Sequence, residues 1–346
     1  MSDYLRVPDP GEGLRLHLNE NTGGCPPRAL EAIRRLTASD AAFYPDYTAV
    51  TEATARHLGV PASRLVLTNG LDEGLHLVAV AALALGVRPA EAVIVEPAFD
   101  MYAAVAGAAG GRIVRVMPRP DFAFPSEETL ARLTSRTRLV FLTNPNNPTG
   151  QRIPRETIEA IAAAAPQAIV LVDEAYVEFS GDTMIVGDGL DRNPNVVVGR
   201  TFAKAYGLAA LRVGALVARE DTLAPIKRLT PPYTLNVCAV VALQAALEDH
   251  DWLRWYQDQV ERSKALVYAA CDRLGLQYWP SAANFVLLRV GDRASALVTE
   301  LANRRIFIRD RSGEPGCAGC VRITTGVVEH TETCLAAMEA VLCGEA

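Results

Sequence analysis

Between residues 65 and 218 the chain alternates short apolar, β-branched runs with longer stretches of helical periodicity. The runs are RLVLT (64–68), AVIVE (92–96), RIVRV (112–116), RLVFLT (138–143), AIVLVDE (168–174), NVVVG (195–199) and RVGALVA (212–218). They are continuously hydrophobic rather than alternating, the pattern of strands covered on both faces. This predicts an α/β fold: a mostly parallel seven-stranded sheet with helices on both faces. A second alternation follows TPPYTLN (230–236). It comprises a helix pattern over 251–274, NFVLLRV (284–290), a helix near 293–304, IFIRD (306–310), CVRIT (320–324) and a closing helix. These predict a smaller α/β domain. The expected division is an N-terminal arm and part of the small domain over 1–40, a large domain over 41–247 and a small C-terminal domain over 248–346.

Composition narrows the function classes. A chain of 346 residues, half of them hydrophobic, can bury a sizeable core. The net charge of −6, without a basic block, argues against nucleic acid or an anionic membrane as partner. The longest apolar stretch, LHLVAVAALALG (75–86), is too short to span a bilayer and predicts a buried helix. The opening MSDYLRVPDPGEG has no charged segment leading into an apolar one, so a cytoplasmic location is expected. Seven irregularly spaced cysteines suit reduced thiols. The one CxxC pair, CAGC (317–320), lacks the second pair a zinc knuckle needs and leads into a strand, so it is read as a loop. The five histidines form no HExxH cluster, and no metal is expected.

Ligands on such sheets sit beyond the carboxyl ends of strands. After the first run come Asn69-Gly70-Leu71-Asp72 and a helix pattern, where a glycine turn and unpaired N–H groups suit a phosphate. No GxGxxG is present, which counts against a dinucleotide. After RLVFLT comes NPNNPTG (144–150), a rigid turn that presents Asn147. After AIVLV come Asp173 and Tyr176. A carboxylate there needs a positive partner, although helix capping or a salt bridge would also answer. After NVVVGR come Thr201 and Lys204, with Arg212 eight residues further on. Lys204 is one of only three lysines in the chain, and it stands among small and apolar residues. Burial lowers a lysine's pKa and leaves a nucleophilic amine able to join a carbonyl. An aldehyde cofactor with a phosphate, a ring nitrogen and a phenolic oxygen would use all four strand ends. Pyridoxal 5'-phosphate is that cofactor.

The series LHLNEN (16–21), YPDY (44–47), NGLDEG, FLTNPNNPTG, VDEAYVEF (172–179), RTFAKAYGLAALRVG, PPYTLN, IRD and VRITTG (321–326) resembles the fold-type I, class I/II pyridoxal-phosphate aminotransferases nearly end to end. Among them it is most similar to the histidinol-phosphate aminotransferases, of aspartate-aminotransferase-like fold. The resemblance implies that Lys204 forms the internal aldimine and moves the substrate proton as general base. It also implies that Asp173 holds the ring nitrogen protonated. Lys204, Asp173 and Tyr176 are thus the implied catalytic residues. Asn147 and Tyr176 would contact the ring's phenolic oxygen, and Phe99 would stack on the ring. Thr201 and Arg212, with the backbone at Gly70, Leu71 and Asp72, would hold the cofactor phosphate. Tyr44 would reach the phosphate of a neighbouring subunit, which implies a homodimer. Arg322 would grip a substrate carboxylate, Arg309 would help hold a substrate phosphate, and Asn19 would belong to a flap over the substrate.

The implied reaction moves an amino group from histidinol phosphate to 2-oxoglutarate, a step of histidine biosynthesis. Aromatic or other amino acids as donors, and an amino-acid phosphate decarboxylase, remain alternatives. A non-enzymatic regulator would need a DNA-binding extension. Three differences from the family pattern bear on the substrate rather than the core chemistry: Ala203 for a common Ser, Phe99 for a common Tyr, and Thr22 where a proline usually follows NEN.

Overall fold

The computed structural model describes residues 9–85 and 89–344. The first eight residues of the expected N-terminal arm lie outside the described residues, as does the last residue of the 75–86 stretch. Strands in chain order are β1 (Leu14–Arg15), β2 (Leu65–Thr68), β3 (Glu91–Val95), β4 (Arg112–Val116), β5 (Thr137–Thr143), β6 (Ile169–Asp173), β7 (Val196–Thr201) and β8 (Gly214–Ala218). They continue with β9 (Gln277–Trp279), β10 (Phe285–Arg289), β11 (Ile306–Phe307), β12 (Arg309–Asp310) and β13 (Cys320–Thr324).

Seven strands form one sheet in the order β2-β8-β7-β6-β5-β3-β4. Six run the same way, and β8 alone is antiparallel to its neighbours β2 and β7. The expected mostly parallel sheet is therefore present. Its continuous hydrophobicity has a direct cause. Val140, Leu142, Val170, Val172, Val196 and Val198 pack on one face against Ile158, Ile161 and Leu243. Their neighbours Leu139, Phe141, Leu171 and Val197 pack on the other against Leu75, Val78, Tyr102 and Ile226. Each strand residue thus meets a helix whichever way it points.

The reversed β8 matters for the site. Its first residue, Gly214, pairs with both Thr68 and Thr201, and Thr143 pairs with Asp173 in the same sheet edge. Chain segments ending β2, β5, β6 and β7 consequently open onto one rim. The 75–86 stretch is helical as expected: an α-helix over Gly70–Ala79 passes into a π turn over Val80–Ala84. Among the described residues no helix is long and apolar enough to cross a membrane.

The second alternation builds a four-stranded antiparallel sheet, β12-β13-β10-β9, packed under helices His250–Leu274 and Val328–Cys343. IFIRD, expected as one strand, is two. Ile306 and Phe307 pair in parallel with β1, whereas Arg309 and Asp310 pair with β13. The chain changes partner at Ile308, whose side chain is buried in the apolar core. The arm enters through β1 and then crosses the rim of the large sheet.

Candidate active site

Asp173 ends β6 with its carboxylate buried. Tyr102 donates its hydroxyl to Asp173 Oδ2 at 2.7 Å, and the backbone N–H of Ala175 donates to Oδ1 at 3.0 Å. Burial pushes the carboxyl up to about 6; the two hydrogen bonds and the Lys204 ammonium pull it back toward the charged form. Tyr102 stands on the helix Met101–Ala108, stacked on Phe141 with centroids 4.7 Å apart and edge-on to Phe99 at 5.8 Å. Sequence reasoning missed Tyr102. A tyrosine inside the apolar stretch MYAAVAGA is a usable signal, because a buried hydroxyl needs a partner.

Lys204 lies three residues beyond the end of β7. Phe202, Ala205 and Tyr206 sink into the core on either side and leave the lysine half-buried at the rim. Its Nζ donates to the Leu18 carbonyl at 2.9 Å. Desolvation first, and then the Arg322 charge, lowers its pKa to about 8, while Glu20 and Asp72 oppose that shift. The amine in this apolar stretch therefore gives up its proton more readily than an exposed lysine does.

The turn after β2 is tight. Gly70 has φ +73°, and a Cβ there would come within 2.3 Å of Arg212 Nη2. Gly214 is equally constrained, since its Cβ would lie 2.7 Å from the Leu71 nitrogen. Arg212, itself in the left-handed region at φ +56°, donates to Asp72 Oδ2 at 3.1 Å and to the Ala209 carbonyl at 2.9 Å. Thr201 pairs with Gly214 in the sheet. Gly70, Leu71 and Asp72 open the helix, so their N–H groups, the Arg212 guanidinium and the Thr201 hydroxyl form one donor-rich cradle suited to a phosphate.

The smaller sheet closes the site from the other side. Arg322, on β13, is buried and donates through Nη1 to Asn147 Oδ1 and through Nη2 to the His17 carbonyl at 2.7 Å. Its guanidinium lies 5.3 Å from the Phe285 ring centroid, and Tyr176 packs edge-on to the same ring at 5.0 Å. Asn19, with φ +56°, donates through Nδ2 to the Tyr176 hydroxyl at 3.0 Å. Among the described residues no carboxylate pairs with Arg322, and its Nε is buried without a partner. Burial, with the Arg311 charge, lowers its pKa to about 9.

Lys204, Asp173, Tyr176, Asn147, Asn19, Thr201, Arg212 and Arg322 are therefore gathered at one rim. Phe99 adjoins them through Tyr102. Arg309 faces Arg322 across the β12–β13 ladder and has no ion pair among the described residues. Tyr44 is elsewhere: it is 75% exposed and stacks on Tyr233 with centroids 4.0 Å apart. The backbone carbonyls of His17 and Leu18, which touch Arg322 and Lys204, carry no side-chain signal in the sequence.

The chain matches the family described as aminotransferase class I and II over residues 12–341. It belongs to that family. Histidinol-phosphate aminotransferase 2 of Ralstonia nicotianae is 37% identical over 338 residues, covering 95% of this chain and 88% of that protein. The enzyme of the same name from Carboxydothermus hydrogenoformans is 36% identical over 319 residues, covering 90% and 86%. Among solved structures, histidinol-phosphate aminotransferase from Sinorhizobium meliloti in complex with pyridoxal-5'-phosphate superposes with a TM-score of 0.86 at 29% identity, covering 99% of this chain and 96% of that one. The Thermus thermophilus aspartate aminotransferase with maleate, 21% identical with a TM-score of 0.78, shares the fold. The chain is a transaminase, and pyridoxal phosphate is its cofactor. The residues present fit that group: a buried carboxylate that forms no ion pair among the described residues, an amine of lowered pKa, and a cradle of N–H donors.

Proposed function

We propose that the chain transfers an amino group from a phosphate-bearing amine, histidinol phosphate foremost, to 2-oxoglutarate. One observation carries the reading: a lysine of lowered pKa and a buried carboxylate share one rim with an arginine that has no ion pair among the described residues. Lys204 would hold the cofactor's aldehyde carbon, and its amine would serve as the base that carries the substrate Cα proton. Asp173 holds the ring nitrogen's proton, oriented by Tyr102 and the Ala175 N–H. Tyr176 and Asn147 would hold the ring's phenolic oxygen, and Phe99 would pack against the ring. Gly70, Leu71, Asp72, Thr201 and Arg212 hold its phosphate. The cofactor's protonated ring supplies an electron sink for the Cα–H bond electrons.

Histidinol phosphate has no α-carboxylate, so Arg322 and Arg309 meet its phosphate in the first half-reaction. Arg322 then meets a carboxylate of glutamate or 2-oxoglutarate in the second. Asn19 closes over both substrates. Tyr44 belongs to a homodimer contact in which it reaches the neighbouring cofactor phosphate, and the enzyme works in the cytoplasm.

The test is a half-reaction screen. The cofactor-loaded enzyme is mixed with histidinol phosphate, aromatic amino acids and glutamate, and the loss of the cofactor's visible absorbance is followed. Rapid loss with histidinol phosphate and with glutamate is expected. Carbon dioxide release without keto-acid consumption would instead identify a lyase.

A further inference from the structure

Residues 17 to 19 lie across the site and hold three of its side chains. The His17 carbonyl accepts from Arg322, the Leu18 carbonyl accepts from Lys204, and the Asn19 amide donates to Tyr176. The imidazole of His17 is buried, 4% exposed, yet among the described residues neither ring nitrogen has a hydrogen-bond partner. The Phe307 ring meets it edge-on at 6.1 Å. A buried ring N–H without an acceptor is unfavourable, and native interiors rarely keep one without a reason.

Its surroundings say what acceptor would suit. Arg15, Arg309 and Arg322 bear on the ring as positive charges, and Asp9 opposes them. Arg15 is engaged by Asp9 and Glu20, whereas Arg309 and Arg322 have no carboxylate among the described residues. Arg322 Nε and Arg15 Nε are also buried without partners. The His17 carbonyl holds Arg322, Arg309 is level with Arg322 in β12 and β13, and the His17 ring meets Phe307, which is level with Arg15 in β1 and β11, so the imidazole stands among these donors. A planar carboxylate is satisfied by one guanidinium fork. A phosphate monoester presents three terminal oxygens and takes donors from several directions.

We infer that His17 is a specificity-determining residue, donating a ring N–H to the phosphate of the amino donor beside Arg322 and Arg309. This rests on the reading of the donor as phosphate-bearing. Because Arg322 bonds the backbone of residue 17, replacing the side chain leaves that anchor in place.

The test uses the cofactor-loaded enzyme and its His17→Phe and His17→Gln variants. Inorganic phosphate is titrated as a competitor against glutamate, and half-reactions are measured with histidinol phosphate and with glutamate. In His17→Phe the dissociation constant for inorganic phosphate and the KM for histidinol phosphate are expected to rise about tenfold or more, the loss of one hydrogen bond to a charged group. The kcat and the KM for glutamate are expected to move less than about threefold on the same reasoning. His17→Gln keeps an N–H donor and is expected to recover part of the phosphate affinity. Unchanged phosphate affinity in His17→Phe would overturn the inference, as would equal losses for both substrates or a wild-type enzyme blind to inorganic phosphate. If wild type ignores histidinol phosphate while His17 still governs phosphate binding, the donor assignment fails and the role of His17 stands.

Discussion

Tyr102 and Asp173 show how a single hydroxyl sets the working state of a buried carboxylate. Burial alone favours the neutral acid, and the Tyr102 hydroxyl is the largest of the contacts that oppose it. Tyr102→Phe removes a donor to the charged form, so the Asp173 pKa rises above about 6. More of the carboxylate is then protonated at any given acidic pH, and the acidic limb of cofactor binding moves to higher pH. Titration of the apo protein with cofactor across pH 5 to 8 checks this; a limb that stays in place contradicts it. Lys204 gives the converse case. Its pKa falls from the ordinary value of 10.5 to about 8, so the neutral, nucleophilic fraction grows as pH rises through 8. The rate of cofactor capture by the apo protein is expected to climb through that pH and level off below 10. A rate still climbing past 10 would mean an ordinary lysine. Lys204 was legible in the sequence because an amine among small apolar residues has few packing explanations. Tyr102 was not read because tyrosines are common in apolar helices, and its partner is seventy-one positions away.

At the level of elements, the turn from β2 into its helix is the most constrained part of the site. Gly70→Ala places a Cβ where Arg212 now sits and holds an L-residue at φ +73°. The substitution is expected to cost about 1–2 kcal/mol in strain. Displacing Arg212 should also weaken cofactor binding by about tenfold, the worth of one charge-assisted hydrogen bond. Equilibrium titration of the apo variant with pyridoxal phosphate measures the second effect, and an unchanged affinity would remove Arg212 from the cradle. The inner strands β5, β6 and β7 were readable because both faces of each are covered, which writes itself as unbroken hydrophobicity. The direction of β8 was not, since an antiparallel strand covered on both faces has the same composition as a parallel one. The division of IFIRD escaped for a related reason: pairing with β1 or with β13 is decided by partners distant in the chain, not by residues 306–310 themselves.

On the scale of the whole molecule, both sheets contribute to one rim, so the proposed cofactor and substrate contacts come from opposite walls. Asp173, Lys204 and Arg212 belong to the large sheet or its loops, Arg322 and Arg309 to the small one, and the arm bridges them. On another part of the surface Phe43 and Tyr44 are each about three-quarters exposed, and Tyr233 is more than half exposed. Grouped exposed aromatics suit a surface for contact with another chain, and the proposed homodimer places its contact here. Light scattering is expected to give twice the chain mass, and Tyr44→Phe to raise the cofactor dissociation constant by roughly fivefold to tenfold without changing that mass, as loss of one hydrogen bond to a phosphate would. A monomer would return Tyr44 to the status of a surface turn residue.

The central claim is that Lys204 carries the cofactor, and the chain's scarcity of lysine makes it simple to test. Only Lys204, Lys227 and Lys264 are available for attachment along the sequence. The protein is loaded with pyridoxal phosphate, reduced with borohydride, digested, and its peptides weighed. The added mass is expected on the peptide containing Lys204 alone, and to vanish in Lys204→Ala. Stable label on Lys227 or Lys264 instead, or none at all under saturating cofactor, would contradict the account.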